Sequence, residues 1–221
     1  MANLMEMVNW DELIAATRET IYMTFISVFA TFVLGLLLGL LLFLTAKGNL
    51  WANRTVNVII AGFVNIFRSI PFIILIVLLI PFTKLMLGTM LGPDAAMPAL
   101  IIGAAPFYAR MVEIALREID KGVIEASQSM GATHGRIIFK VLIPESLPAL
   151  ISGITVTAIS LVSFTAMAGV IGAGGLGNFA YLEGFQRNRP FVTLVATIAI
   201  LILVFIIQFI GDYFTKKTDK R

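Results

Sequence analysis

Residues 172–177 read Gly172-Ala-Gly-Gly-Leu-Gly177. This is the G-x-G-x-x-G spacing that, in a dinucleotide-binding unit, sets backbone N–H groups around a pyrophosphate. That chemistry requires a strand before the glycines and an acidic residue about 20 positions after them. Here an apolar segment precedes the run, and a second one, at about 190–213, follows it. The run is therefore expected to form a tight, close-packed turn in which Gly174, Gly175 and Gly177 serve packing or gating. No Gly-x-x-x-x-Gly-Lys-Ser/Thr phosphate loop occurs, so nucleotide held in that way would need another chain. Cysteine is absent, which excludes disulfides and thiol chemistry. His134 is the single histidine and is expected as a solvated surface residue rather than a metal ligand.

Three ionisable residues stand inside apolar surroundings. Arg68 interrupts an otherwise uncharged stretch at about 56–83, and Arg110 and Glu113 lie near the end of another at about 96–117. An arginine at the centre of a bilayer costs roughly 2.5–3.5 kcal/mol on insertion scales, so Arg68 should meet protein, water or the interface. Two readings stay open: snorkelling towards the cytoplasm, or a packing or gating contact between subunits, with Glu113 as one candidate partner. Arg110 and Glu113 are three apart on one helix, which favours a local pair. Pro71, Pro81 and Pro106 should bend the helices that carry them. Ser160, Ser163 and Met167 are candidates to line a pathway. The competing reading is that the small polar residues of this segment join helices, because several lie too close in sequence to share a face.

The elements that hold these residues follow from composition. Of 221 residues, 59% are hydrophobic and 13% charged, with a mean hydropathy of +0.97. A soluble domain is about a quarter charged, so the bilayer is the solvent that fits. Apolar stretches at 20–46, 56–83 (interrupted by Arg68), 96–117 (with Arg110 and Glu113 in its final turns), 146–182 and 190–213 predict about five transmembrane helices in an all-α integral membrane protein. Gly35-x-x-x-Gly39 in the first would let two helices approach closely, or is a chance pair. Residues 1–19 carry Glu6, Asp11, Glu12 and Glu19 against Arg18, and do not resemble a cleaved signal. Trp10, Leu13, Ile14 and Thr17 recur at helical spacing, which predicts a short amphipathic interfacial segment over 1–18. The transmembrane domain spans 19–214, and a basic tail occupies 215–221. Placing that tail in the cytoplasm puts Lys47, Arg54, Arg117, Lys121, Arg136 and Lys140 on the same side and leaves Arg18, Lys84, Arg187 and Arg189 opposite. The positive-inside rule then sets the N-terminus outside and the C-terminus inside, in a multi-pass protein of the cell membrane.

The polar stretch 118–147 reads as two short helices with a sharp bend. Gly131 permits the left-handed residue that ends the first helix, and Thr133 is placed to cap the second. Pro144 is expected to end the second helix, and Pro148 to sit in the first turn of the next span. Such a projection suits docking into a groove on a partner; a plain connecting loop is the other reading.

Glu125-Ala-Ser127, then Gly131, then Val141-Leu-Ile-Pro144 resembles the Glu-Ala-Ala loop of ABC-importer permeases. That loop reads Glu-Ala-Ala, three residues, Gly, nine residues, then Ile-x-Leu-Pro. Ser127, Val141 and Ile143 are the departures. The resemblance implies a coupling helix that inserts into an ATPase subunit, with Glu125, Ala126, Ser127, Gly131, Ala132 and Pro144 at the contact. Val64-Asn-Ile-Phe-Arg-Ser-Ile-Pro-Phe72, Gly103-Ala-Ala-Pro-Phe107, Ala109-Arg-Met-Val-Glu113 and Gly172–Gly177 look like the methionine-importer branch of that family. It implies a type I importer permease fold and a homodimer joined by two ATPase subunits. It also implies a lipid-anchored methionine-binding protein outside the membrane, with methionine, L- and also D-, as cargo. No cofactor is then bound by this chain, ATP-Mg sits on the partner ATPase, and the remaining partners are membrane lipids rather than nucleic acid. Another amino acid or a quaternary amine would fit the same architecture. A secondary transporter would show internal hydropathy repeats or intramembrane ion relays, and neither occurs in the sequence.

Overall fold

The computed structural model describes residues 8–219, and among them every regular element is helical. Glu6 of the amphipathic segment and Lys220 and Arg221 of the tail lie outside the described residues.

Helix α1 runs unbroken over Trp10–Thr45, 36 residues or about 54 Å at 1.5 Å per residue. The surface helix and first span expected separately are one rod, started by Asn9, whose side chain accepts from the Glu12 N–H. Gly35 and Gly39 set its packing. An added Cβ on Gly35 would stand 2.8 Å from Tyr108 Cδ1, and one on Gly39 2.5 Å from Val112 Cβ. The Gly-x-x-x-Gly spacing is thus a seam within the chain, against helix α4 (Pro93–Arg117).

The stretch read as one span over 56–83 is two helices, α2 (Arg54–Ser69) and α3 (Phe72–Leu87), bent by 109°. The cause is local. Pro71 has no N–H to continue the ladder and forces Ile70 out of the helical region, to φ −82°, ψ 122°. Four helices are individually long and apolar enough to cross a bilayer, and the bent pair makes a fifth candidate span.

After α4 come α5 (Lys121–Ser129) and α6 (His134–Ile137), a π-helical turn over Ile138–Leu142, and α7 (Ile143–Ala168). Residues 134–170 run as one rod, and the backbone leaves the helical region at Ile171 (φ −102°, ψ 16°) and Gly172 (φ +99°). Pro144 therefore does not end a helix. It lies in the first turn of α7, and the wider π turn just before it accommodates the missing donor. Pro148 is likewise inside α7. The rod ends at this kink within Gly169–Ala173, followed by the short α8 (Gly175–Phe179), and the last helix, α9, spans Pro190–Thr218. The first residues of the expected tail, Lys216 and Lys217, are still helical and stand in its last turn, where cations complement the helix dipole.

The buried core follows α4. One cluster joins Tyr108, Val112 and Leu116 to Phe43, Ile137, Leu142 and Leu150 at the end of the molecule that carries the α5–α6 elbow. Another joins Leu100 and Ala104 to Met23, Phe72, Ile76 and Leu161 nearer the glycine-turn end.

Candidate functional site

The elbow comes first. The N–H of Gly131 donates to the Gln128 carbonyl (2.9 Å) and that of Ala132 to the Ser127 carbonyl (3.1 Å). Gly131 itself has φ +77°. This paired bonding with a left-handed residue just past the helix end is a Schellman stop, which fixes the direction in which the chain leaves α5. At the N-terminus of α5, Asp120 accepts from the Gly122 N–H (2.6 Å). Thr133 occupies the cap position of α6 without the expected side-chain bond. Ser127 is buried and donates to the Val123 carbonyl (2.7 Å), while Glu125 remains exposed. Ala132 packs against the elbow-end core.

The elbow is braced from below. Trp51 Nε1 donates to His134 Nδ1 (3.1 Å), so the one histidine, though exposed, has a partner. The carbonyl of Phe43 accepts from Asn49 Nδ2, which folds the α1–α2 connection under α5. Ile137 and Leu142 are fully buried, whereas Met130 is 80% and Phe139 69% exposed. The elbow thus has a fixed inner side and an unburied apolar outer side, the anatomy of a protein docking surface.

The second site lies at mid-molecule. A cavity of about 430 Å³ opens at the α2–α3 break, lined by Phe67, Arg68, Ile70, Phe72, Gly103, Phe107, Ser160, Ser163 and Phe164. Pro71 makes this site by breaking the helix; it caps α3 without a side-chain bond. Ser160 and Ser163 share the cavity face of α7, and Met167 does not line this cavity. Phe72 and Phe164 stack with centroids 4.4 Å apart and an interplanar angle of 5°. Ser160 Oγ donates to the Val156 carbonyl (3.0 Å).

Arg68 faces the cavity and has no carboxylate partner among the described residues. Within this chain Arg68 and Glu113 do not pair. Glu113 is 2% exposed and is gripped from its own helix by Arg110 and Arg117. The local pairing of Arg110 with Glu113 is present, and Arg117, one turn further on, completes it.

The glycine run forms a turn at the opposite end from the elbow. Gly172, Gly174 and Gly175 all have positive φ, and the Gly172 carbonyl accepts from the Gly92 N–H (2.9 Å). Gly177 lies so close to the Ala166 backbone that a side chain would displace it. Sequence reasoning missed what holds this turn. The Glu19 carboxylate accepts from the Gly175 N–H (2.7 Å) and Thr20 Oγ1 from the Leu176 N–H (2.8 Å). These two acceptors come from α1 and occupy donors at the start of α8, so the turn has no free phosphate cradle. Adjacent Glu-Thr at the mouth of an apolar run was the available signal.

The geometry is matched elsewhere. Residues 31–220 match the family described as binding-protein-dependent transport system inner membrane component. Over 97% of this chain and 96% of the relative, the sequence is 68% identical to the methionine import system permease protein MetP of Bacillus subtilis (strain 168). It is 46% identical to the probable D-methionine transport system permease protein MetI of Pasteurella multocida (strain Pm70), over 96% of this chain and 98% of the relative. A chain of the MetNI methionine ABC transporter in an inward-facing conformation superposes with a TM-score of 0.93 at 47% identity, covering 95% of this chain and 97% of that one. A chain of an amino acid ABC transporter solved with histidines shares the fold, with a TM-score of 0.79 at 19% identity.

Proposed function

The chain belongs to the family of inner membrane components of binding-protein-dependent transport systems, and on that ground we propose that it is the permease subunit of an ATP-driven importer carrying methionine into the cytoplasm. The observation that carries the importer class is the elbow: a helix, a Schellman stop and a second helix, braced by Trp51 and presenting Met130 and Phe139. Kinship with methionine permeases carries the substrate, and the relatives named for D-methionine extend it to both enantiomers.

The chain is a permease and not an enzyme; a separate ATPase subunit binds and hydrolyses ATP with Mg. Two copies of this permease form a twofold dimer with the pathway between them, and two ATPases receive the elbows. Glu125, Ala126, Ser127, Gly131 and Ala132 form that contact, and Pro144 holds the junction to α7. A lipid-anchored binding protein delivers methionine at the glycine-turn end, which faces outward with the N-terminus; the elbow and C-terminus are cytoplasmic. Gly174, Gly175 and Gly177 hold the outer turn, and Ser160 and Ser163 line the pathway at the cavity beside Arg68. Rocking of helices around a mid-membrane site then alternates access. Discontinuous helices near the bilayer midplane are where transporters place such sites, which supports the cavity at the α2–α3 break.

The test is uptake of labelled L-methionine at low external concentration by cells lacking the gene, with and without a plasmid copy. ATP-dependent uptake that returns with the plasmid is expected. Uptake indifferent to the plasmid would overturn the methionine assignment and point to another amino acid or a quaternary amine.

A further inference from the structure

We propose that the cavity at the α2–α3 break binds the amino acid in transit and that Arg68 is the ligand of its α-carboxylate; this rests on the methionine-import reading above. Arg68 is exposed where it lines the cavity, and an arginine brought to membrane depth is retained only where something offsets its desolvation. Glu113, the carboxylate nearest to hand in the sequence-based reading, is already held by Arg110 and Arg117. No other described carboxylate pairs with Arg68. The guanidinium fork, lining a cavity of about 430 Å³, is therefore matched to a carboxylate that arrives from outside the chain.

The remaining lining suits the other parts of a zwitterionic amino acid with a soft side chain. Ser160 has already directed its proton to the Val156 carbonyl, so its oxygen offers lone pairs to an ammonium group. Ser163 lines the same face, one helical turn away. The stacked rings of Phe72 and Phe164, with Leu75, supply apolar and aromatic surface of the kind a thioether contacts favourably. Gly103 faces the same space, and an added Cβ there would approach Leu75 Cδ2 to 3.2 Å, so a larger residue would have to push the Leu75 and Phe72 side chains aside.

The experiment uses the complete transporter in proteoliposomes, with the binding protein supplied outside and ATP inside. Uptake of labelled L-methionine is compared with that of L-methioninamide, which keeps the ammonium and thioether but lacks the negative charge. The binding protein's own preference is the same for every permease variant and cancels when ratios of uptake are compared. Arg68→Gln is expected to lower methionine uptake about 10- to 100-fold, the range for losing a charged hydrogen bond, and to leave methioninamide within twofold. Arg68→Lys keeps the charge without the fork, and is expected to lower methionine uptake by less than Arg68→Gln while sparing the amide. If Arg68→Gln does not assemble, Arg68→Lys alone decides. Equal loss of both compounds, or no loss of either, overturns the carboxylate assignment and leaves Arg68 as a packing or snorkelling residue. A wild-type transporter that moves neither compound overturns the methionine reading, and the carboxylate assignment falls with it.

Discussion

Replacing Gly131 separates backbone conformation from surface contact at the elbow. Its φ is +77°, and no heavy atom lies within 4 Å of where a Cβ would stand. A side chain there meets no steric obstacle inside the chain, so the whole penalty is the left-handed backbone, about 1–2 kcal/mol for an L-residue. That corresponds to a roughly 5- to 30-fold shift away from the bent arrangement. The penalty depends on residue type in a known order: Asn tolerates the conformation, Ala less so, and β-branched Val least. ATP-driven uptake by assembled transporters carrying Gly131→Asn, Gly131→Ala or Gly131→Val should fall in that order, with assembly verified by size-exclusion chromatography and the ATPase rate measured alongside. Wild-type uptake by Gly131→Val would refute the claim that the stop sets the elbow. Equal and severe loss in Gly131→Asn and Gly131→Ala would refute the backbone argument differently, by showing that added bulk collides with the partner.

Two further outcomes follow from packing and charge. Gly39→Ala gains about 1 kcal/mol of helix propensity but places a Cβ 2.5 Å from Val112 Cβ and 2.6 Å from the Ala109 carbonyl oxygen. Overpacking of roughly 1–3 kcal/mol outweighs that gain, so the melting temperature should fall, while Gly62→Ala, which meets nothing within 4 Å, should not lower it. Glu113→Gln weakens charged bonds to both Arg110 and Arg117 and should cost about 1.5–3 kcal/mol, seen as a lower melting temperature in detergent; an unchanged value would mean water holds the arginines equally well.

Much of this arrangement was legible in residue order because strong local signals agreed with the fold. Gly131 sits where a helix must stop, and Gly35 and Gly39 sit where two helices must touch, so backbone conformation and steric need point the same way. The α2–α3 break was under-read. Hydropathy is continuous across Pro71, and a hydropathy count cannot distinguish a kinked span from two helices at 109°. The pre-proline restriction on Ile70 was the better guide. Pro144 misled in the opposite direction, since a π turn just upstream lets the rod continue through it. The pairing of Ser160 with Arg68 around one cavity joins helices about 90 positions apart and leaves no local trace.

The clasp between α1 and the glycine turn bears on how the chain is made. Glu19 and Thr20 are synthesised early, yet their acceptors are occupied by residues 156 positions later. At the usual 5–20 residues per second, that leaves about 8–30 s during which the first rod has emerged with these groups unmatched. In the same rod, Thr24, Ser27 and Thr31 bury hydroxyls that have no partner within the described chain. The Glu19–Thr20 end of the first rod is secured only after the fourth rod has been made, which makes residues 175–176 the latch that closes this fold during synthesis.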